Sequence, residues 1–247
     1  MGRAAALLVL ATVVGVYYGV VADLPTTGLW WEIAWLAVGV IPAVCLFALL
    51  LLPLARLPAA VDAAVGIGFL GLALVFGLSG LHVLANFAKL GAMTFLAWAF
   101  LWLFEEVSWV VLVAFIVPWV DAYSVWRGPT KSIVNHHATV FSAFSFAFPV
   151  PDGATHLGLP DLFFFSLFLA AAARFGLRVR LTWLALSLSF GATMAIAIWQ
   201  DVGGLPALPL LSLGFLAPNA DLLWRRLRKQ PQSLTRLRDV SDTDARA

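Results

Sequence analysis

Long apolar runs alternate with short polar breaks along this chain. The runs fall at roughly 4–22, 29–54, 60–80, 82–104, 107–126, 161–176, 181–201 and 205–225. A bilayer core takes about 20 apolar residues per helix. The pattern therefore predicts eight transmembrane helices with mostly short connections. The first run could also be a signal peptide, with Arg3 as its basic start and Val20-Val21-Ala22 as a weak cleavage site. Its length, and the many runs behind it, favour a retained span. The 29–54 run holds Pro42 and Pro53, so a tilt or a break is expected there.

One stretch departs from this pattern. The connection between Arg127 and Asp161 is the longest in the chain, at 33 residues. Within it Phe144, Phe146 and Phe148 alternate with small residues. A period of two reads as a strand, and a strand beside a helical bundle needs a partner for its edge.

Composition explains why the runs are so long. The 247 residues are 62% hydrophobic and 11% charged, against about 45–50% and 25% for a soluble globular chain. One core cannot hide that excess, so lipid must replace water over much of the surface. A soluble enzyme, a disordered chain and a nucleic-acid binder are excluded. The single cysteine, Cys45, lies inside an apolar run and reads as a small core residue.

Basic residues orient the spans. Arg3, Arg56, the loop with Arg174, Arg178 and Arg180, and the tail with Arg225, Arg226, Arg228, Lys229, Arg236, Arg238 and Arg246 fall on one side, which is twelve of fifteen. Arg127 and Lys131 fall on the other, and Lys89 lies near a helix end from which it can snorkel. Both termini are therefore expected in the cytoplasm of a multi-pass plasma-membrane protein. Trp30, Trp31, Trp126 and Trp224 lie near span ends, as an aromatic belt requires.

Of thirteen acids, eleven fall near span ends, in loops or in the tail, where interface and capping roles account for them. Asp62, Asp221 and Glu32 are among these. Asp121 and Asp161 remain. Asp121 follows Pro118-Trp119-Val120 and lies about 7–8 Å inside the outer end of its span, at 1.5 Å per residue. Asp161 follows Gly158-Leu159-Pro160 and opens the next span, where proline suits the first helical turn. The two helices are consecutive and antiparallel, so both acids lie towards the outer half, where they can face each other. Two carboxylates in a low-dielectric site share a proton. One can then activate water while the other protonates the scissile carbonyl or the leaving group, as in aspartic proteases. The same pair would also suit a proton or cation relay.

Three blocks, in order, resemble the presenilin and signal-peptide-peptidase group of intramembrane aspartyl proteases, and its small prokaryotic members most. Val120-Asp121-Ala122-Tyr123-Ser124-Val125-Trp126 resembles the Tyr-Asp block, with Val120 in place of tyrosine. Leu157-Gly158-Leu159-Pro160-Asp161 resembles Gly-x-Gly-Asp, with Pro160 in place of the second glycine. Leu205-Pro206-Ala207-Leu208 matches the Pro-Ala-Leu block. The match covers the last 130 or so residues, and the first hundred show no such block.

The resemblance implies an all-α polytopic bundle of eight or nine transmembrane helices, with a short β segment before the helix carrying Asp161. It divides the chain into an N-terminal bundle (1–106), a catalytic membrane region (107–229) and a flexible tail (230–247). It implies Asp121 and Asp161 as catalytic. Gly158, Pro160, Pro206, Ala207 and Leu208 would shape the site and support substrate. Phe146 and Phe148, with the residues around Pro206, would offer an edge to which an unwound substrate could add as a strand. Substrates would be transmembrane proteins or signal-peptide remnants, and the cytoplasmic C-terminus points to type II helices. No metal or organic cofactor is implied. The adjacent His136 and His137 read as a solvated loop. Two alternatives remain at this point: a proton-coupled transporter using the same acids, and an inactive scaffold that keeps the fold.

Overall fold

A computed structural model describes residues 2–25, 28–127, 144–151, 153–200 and 205–228. His136, His137, Lys131 and the tail from Lys229 lie outside these residues. The described chain is mostly helical, with one small sheet.

Helix α1 runs Arg3–Val20. The proline-bearing run stays one continuous helical span, Leu29–Arg56, in which α2 (Leu29–Trp35) passes through a π-helical turn (Leu36–Val40) into α3 (Ile41–Leu51) and a 3-10 turn (Leu52–Arg56). Pro42 has no N–H and its ring crowds the carbonyl four residues back, so the hydrogen-bond ladder widens ahead of it. Helices α4 (Ala59–Leu78), α5 (His82–Leu101) and α6 (Val107–Arg127) follow. After them come β1 (Ser145–Val150) and β2 (Gly153–Gly158), then α7 (Leu159–Arg174), α8 (Val179–Trp199) and α9 (Leu208–Leu216). A 3-10 turn at Ala217–Asn219 follows, and helix resumes over 220–228.

Six of the eight expected spans are helices long and apolar enough to cross a membrane. The other two are shorter. Helix α7 has 16 residues, about 24 Å at 1.5 Å per residue against a hydrocarbon core of about 30 Å. Helix α9 has 9 residues before Pro218 interrupts it. These are the helices of Asp161 and of the Pro-Ala-Leu block.

The helix ends sort into two faces. On one, the end of α1 and the start of α5 meet the sheet: Tyr17 and Tyr18 hydroxyls donate to the carbonyls of Pro149 (2.9 Å) and Ala147 (2.8 Å). On the other, Arg174 at the end of α7 donates to the Leu101 carbonyl at the end of α5 (2.7 Å). Arg178 there meets Asp221 beyond α9. We call these the hairpin face and the arginine face.

Helix α7 sits at the centre, packed against α5, α8 and α9. Phe165 stacks on Phe190 of α8 and Phe168 on Phe215 of α9, with centroids 5.4 and 4.9 Å apart. Thr94 of α5 and Ser166 of α7 share a buried hydrogen bond (3.2 Å). Glycine permits the closest helix contacts. A Cβ on Gly191 would stand 2.7 Å from the Ala37 carbonyl oxygen. By contrast, α1, α4 and α6 bury little and expose large side chains such as Leu78 (90%) and Trp119 (78%). In water that surface would be a severe liability, whereas lipid accommodates it. Exposed Trp30 and Trp199 pair near the hairpin face (6.4 Å), while exposed Trp102 and Trp224 lie near the arginine face. Cys45 is buried and free.

Candidate active site

Alternation in the aromatic stretch does produce a strand. Phe146 and Phe148 are fully buried and Phe144 is exposed. The second strand was not expected. It pairs antiparallel with β1 in the register Ser145↔Gly158 to Val150↔Gly153. The hairpin ends where α7 begins, so its register fixes the start of the helix carrying Asp161.

The other edge of β1 is closed by side chains of the bundle. Asn86 of α5 grips Ala147 at both backbone groups: its amide nitrogen donates to the Ala147 carbonyl (2.7 Å), and its oxygen accepts from the Ala147 N–H (2.9 Å). Lys89 Nζ donates to the Ser145 carbonyl (3.0 Å). Tyr17 and Tyr18 take Pro149 and Ala147. This corrects two expectations. Phe146 and Phe148 cannot touch a substrate, because their rings pack into the core beside Phe87. Lys89 does not snorkel towards headgroups but holds the strand. Among the described residues neither outer edge of the sheet borders a third strand; that of β1 carries the side-chain bonds just named, and that of β2 runs from Gly153 to Gly158. On sequence alone Lys89 reads as a snorkelling residue and Asn86 is not singled out. Their i, i+3 spacing, which puts both on one helix face, was the available signal.

Gly158 is the N-cap of α7, and Asp161 is its third helical residue. The Asp161 carboxyl reaches back to the Gly158 N–H, as the acidic member of a capping box does. A Cβ on Gly158 would stand 3.0 Å from Asp161 Oδ2. Glycine is needed here for close approach, since its φ of −62° is open to any residue. Pro160 occupies the first helical turn, where its missing N–H leaves nothing unpaired.

Asp121 lies three residues after Pro118 in α6. Its Oδ2 accepts the backbone N–H of Leu208 at 3.0 Å. Leu208 is the first residue of α9, with Ala207 as N-cap and Pro209 in the first turn. The Asp121 carboxyl thus takes an N–H that the helix itself cannot satisfy, at the positive end of its dipole. Pro206 is half-buried, and Ala207 and Leu208 are buried.

The three sequence blocks lie at one end of the bundle: Asp121 caps α9, and α9 packs against both α6 and α7. Both acids are half-buried rather than sealed. Val120 points out of the bundle, 62% exposed.

Asp62 is a further finding. It was expected at an interface, and instead it is fully buried with neither carboxylate oxygen hydrogen-bonded. The Trp102 indole is the polar group turned towards it. It lies near the arginine face, at the far end of the bundle from the Asp121–Asp161 pair. Among the described residues, no three His, Cys, Asp or Glu side chains are grouped to hold a metal.

Comparison with protein-family models, curated proteins and solved structures finds no match to this chain.

Proposed function

We propose that this chain is an intramembrane aspartyl protease, presenilin-like in its catalytic half, that hydrolyses peptide bonds in or near transmembrane helices. The observation that supports the reading is the Asp121 bond to the start of α9, a helix that also packs against α7, whose first turn carries Asp161. Two carboxyls that feel each other in a weakly polar site hold one proton between them. The ionised one takes a proton from water, and the protonated one donates to the carbonyl oxygen as the tetrahedral intermediate forms. Asp121 accepts the Leu208 N–H and the Asp161 carboxyl turns back to the Gly158 N–H, so each acid has one backbone donor and either serves as base or acid in this reading.

A helix hides its own peptide bonds in hydrogen bonds, so a substrate must unwind before it is cut. The outer edge of β2 supports the idea of a docking strip for the unwound segment by strand addition, because it leads straight to Asp161. Substrates of this class are transmembrane proteins or signal-peptide remnants. The excess of arginine and lysine on one face supports placing both termini in the cytoplasm of the cell that carries the protein.

The test is cleavage of a membrane-spanning reporter by the purified protein in bilayers, with Asp121→Asn and Asp161→Asn as controls. Asparagine keeps a hydrogen-bond acceptor at each cap, so both variants should fold and neither should cut. Cleavage that survives both substitutions ends the protease reading. Asp62 favours a second reading, a proton-coupled transporter, since a third buried acid near the opposite face could relay protons. Proton flux in vesicles that is lost in Asp62→Asn, with no reporter cleavage by the unmodified protein, would select it.

A further inference from the structure

Helix α4 carries an acid in its packing face. Among its 20 residues it buries only Asp62, Gly66 and Ala73. Their spacings of four and seven put all three on one side of the helix. That side is the seam with α5. A Cβ on Gly66 would stand 2.8 Å from Leu96 Cγ, and Phe69 stacks on Phe95 with centroids 5.9 Å apart. Asp62 stands in this seam one turn before Gly66. It is 0% exposed, and neither of its carboxylate oxygens has a hydrogen-bond partner.

Among the described residues no charged partner offsets a carboxylate there. The Trp102 indole, just past the end of α5, is the polar group turned towards Asp62. The charged groups on the flanking segments are Arg56 before α4, Glu105 and Glu106 after α5, and Arg174 of α7, whose guanidinium lies over the Trp102 ring at 5.0 Å. None of them acts on Asp62. An isolated carboxylate is very costly in such surroundings, and the neutral acid costs far less. A metal ion needs several ligands, and among the described residues no three His, Cys, Asp or Glu side chains are grouped to supply them. The cation that needs no ligand shell is the proton.

We propose that Asp62 is a proton-binding site between α4 and α5: its carboxyl packs into the seam as the neutral acid, and the proton leaves only when the start of α4 moves away from α5. Proton release and docking of α4 thus exclude each other. The inference rests on neither the protease nor the transporter reading, since a bound proton needs no path across the bilayer and no cleavage.

The experiment uses the full chain in phosphatidylcholine nanodiscs, unmodified and as Asp62→Asn, whose side chain is neutral at every pH. The infrared difference spectrum between the two at pH 7 isolates the Asp62 carboxyl. Asp62→Asn should lose the C=O band of a protonated carboxyl, although an ordinary aspartate keeps its proton in only about one molecule in a thousand at that pH. Loss of a carboxylate band instead would overturn the proposal. As pH is raised further, the acid band should fade together with the amide-exchange protection of peptides covering 59–66, corrected for intrinsic exchange, while Asp62→Asn keeps its protection. A band that lasts until the protein unfolds is the same result, because the proton then leaves only with the fold. A band that fades while protection is unchanged would overturn the proposal, as would protection that falls equally in both proteins. Circular dichroism checks that each protein folds; if Asp62→Asn does not, Asp62→Leu gives the same subtraction.

Discussion

Replacing Asn86 with leucine tests whether the hairpin is held by one side chain. Asn86 is buried and makes two hydrogen bonds to Ala147, at 2.7 and 2.9 Å. Leucine is similar in volume and removes both. The Ala147 carbonyl keeps a partner in the Tyr18 hydroxyl (2.8 Å), so its loss is small. The Ala147 N–H keeps none, and an orphaned buried donor costs about 1–3 kcal/mol. With the second bond added, the strand should be destabilised by about 2–3 kcal/mol. Amide hydrogen exchange by mass spectrometry, on peptides covering 144–151, reads this locally. At 1.4 kcal/mol per tenfold, exchange at Ala147 should quicken by about 30- to 100-fold, while peptides from α8 stay protected. Asn86→Gln should fall between the two if the longer amide can reach. Unchanged exchange at Ala147 in Asn86→Leu would show that the clamp carries no energy, and the account of how β1 is fixed would fail. In the protease reading the same variant should also lose cleavage, because the hairpin sets the start of α7.

The remaining predictions concern the acids, the hairpin and the packing. Gly158→Ala pushes a methyl to 3.0 Å from Asp161 Oδ2; it should lower kcat of reporter cleavage by tenfold or more, at about 1.4 kcal/mol per tenfold, with little change in thermal stability in detergent. Asp121→Ala removes the acceptor of the Leu208 N–H and should cost about 1 kcal/mol of stability, the usual worth of a helix cap, whereas Asp121→Asn should cost less than half of that; equal losses by chemical denaturation would contradict the capping role. His156 makes a 2.9 Å bond to the Ser145 hydroxyl, and burial first, then the nearby Lys89, holds its pKa below the ordinary 6.5. The unfolded chain therefore binds that proton more readily, so the hairpin's stability is full above about 6.5 and declines as pH falls below it; protection of 145–158, after correction for the intrinsic slowing of amide exchange, should fall from pH 7 to 5, and His156→Gln should flatten that dependence. Gly191→Ala drives a methyl to 2.7 Å from the Ala37 carbonyl oxygen and should destabilise the protein by about 1–3 kcal/mol through overpacking, seen as a lower melting temperature with the helix content of the native state unchanged.

Much of the fold was legible in the residues, because lipid imposes a simple demand. A chain that crosses hydrocarbon must satisfy its own backbone and present apolar side chains. Long runs between polar breaks therefore located α1, α4, α5, α6 and α8 to within a few residues. The irregular turn ahead of Pro42 and the alternation of Phe146 and Phe148 were equally visible, since a missing N–H and a period of two act locally. The two short helices were not, because α7 is shielded by its neighbours and α9 is cut by Pro218. Neither has to meet the length that lipid would require of an isolated span.

The site divides in the same way. By itself the sequence placed two acids near helix ends towards one face, but it left Asp62, which the fold buries, among the ordinary interface charges. Only the tertiary structure decided what each acid touches. Asp161 bonds to its own N-cap because a glycine leaves room. Asp121 bonds to Leu208, 87 residues away in sequence. The clamp from Asn86, Lys89, Tyr17 and Tyr18 onto β1, and the burial of Asp62, are likewise contacts between distant segments. Periodicity reports which side of an element is apolar, but the partner of a polar group depends on how elements pack, and that information is not local.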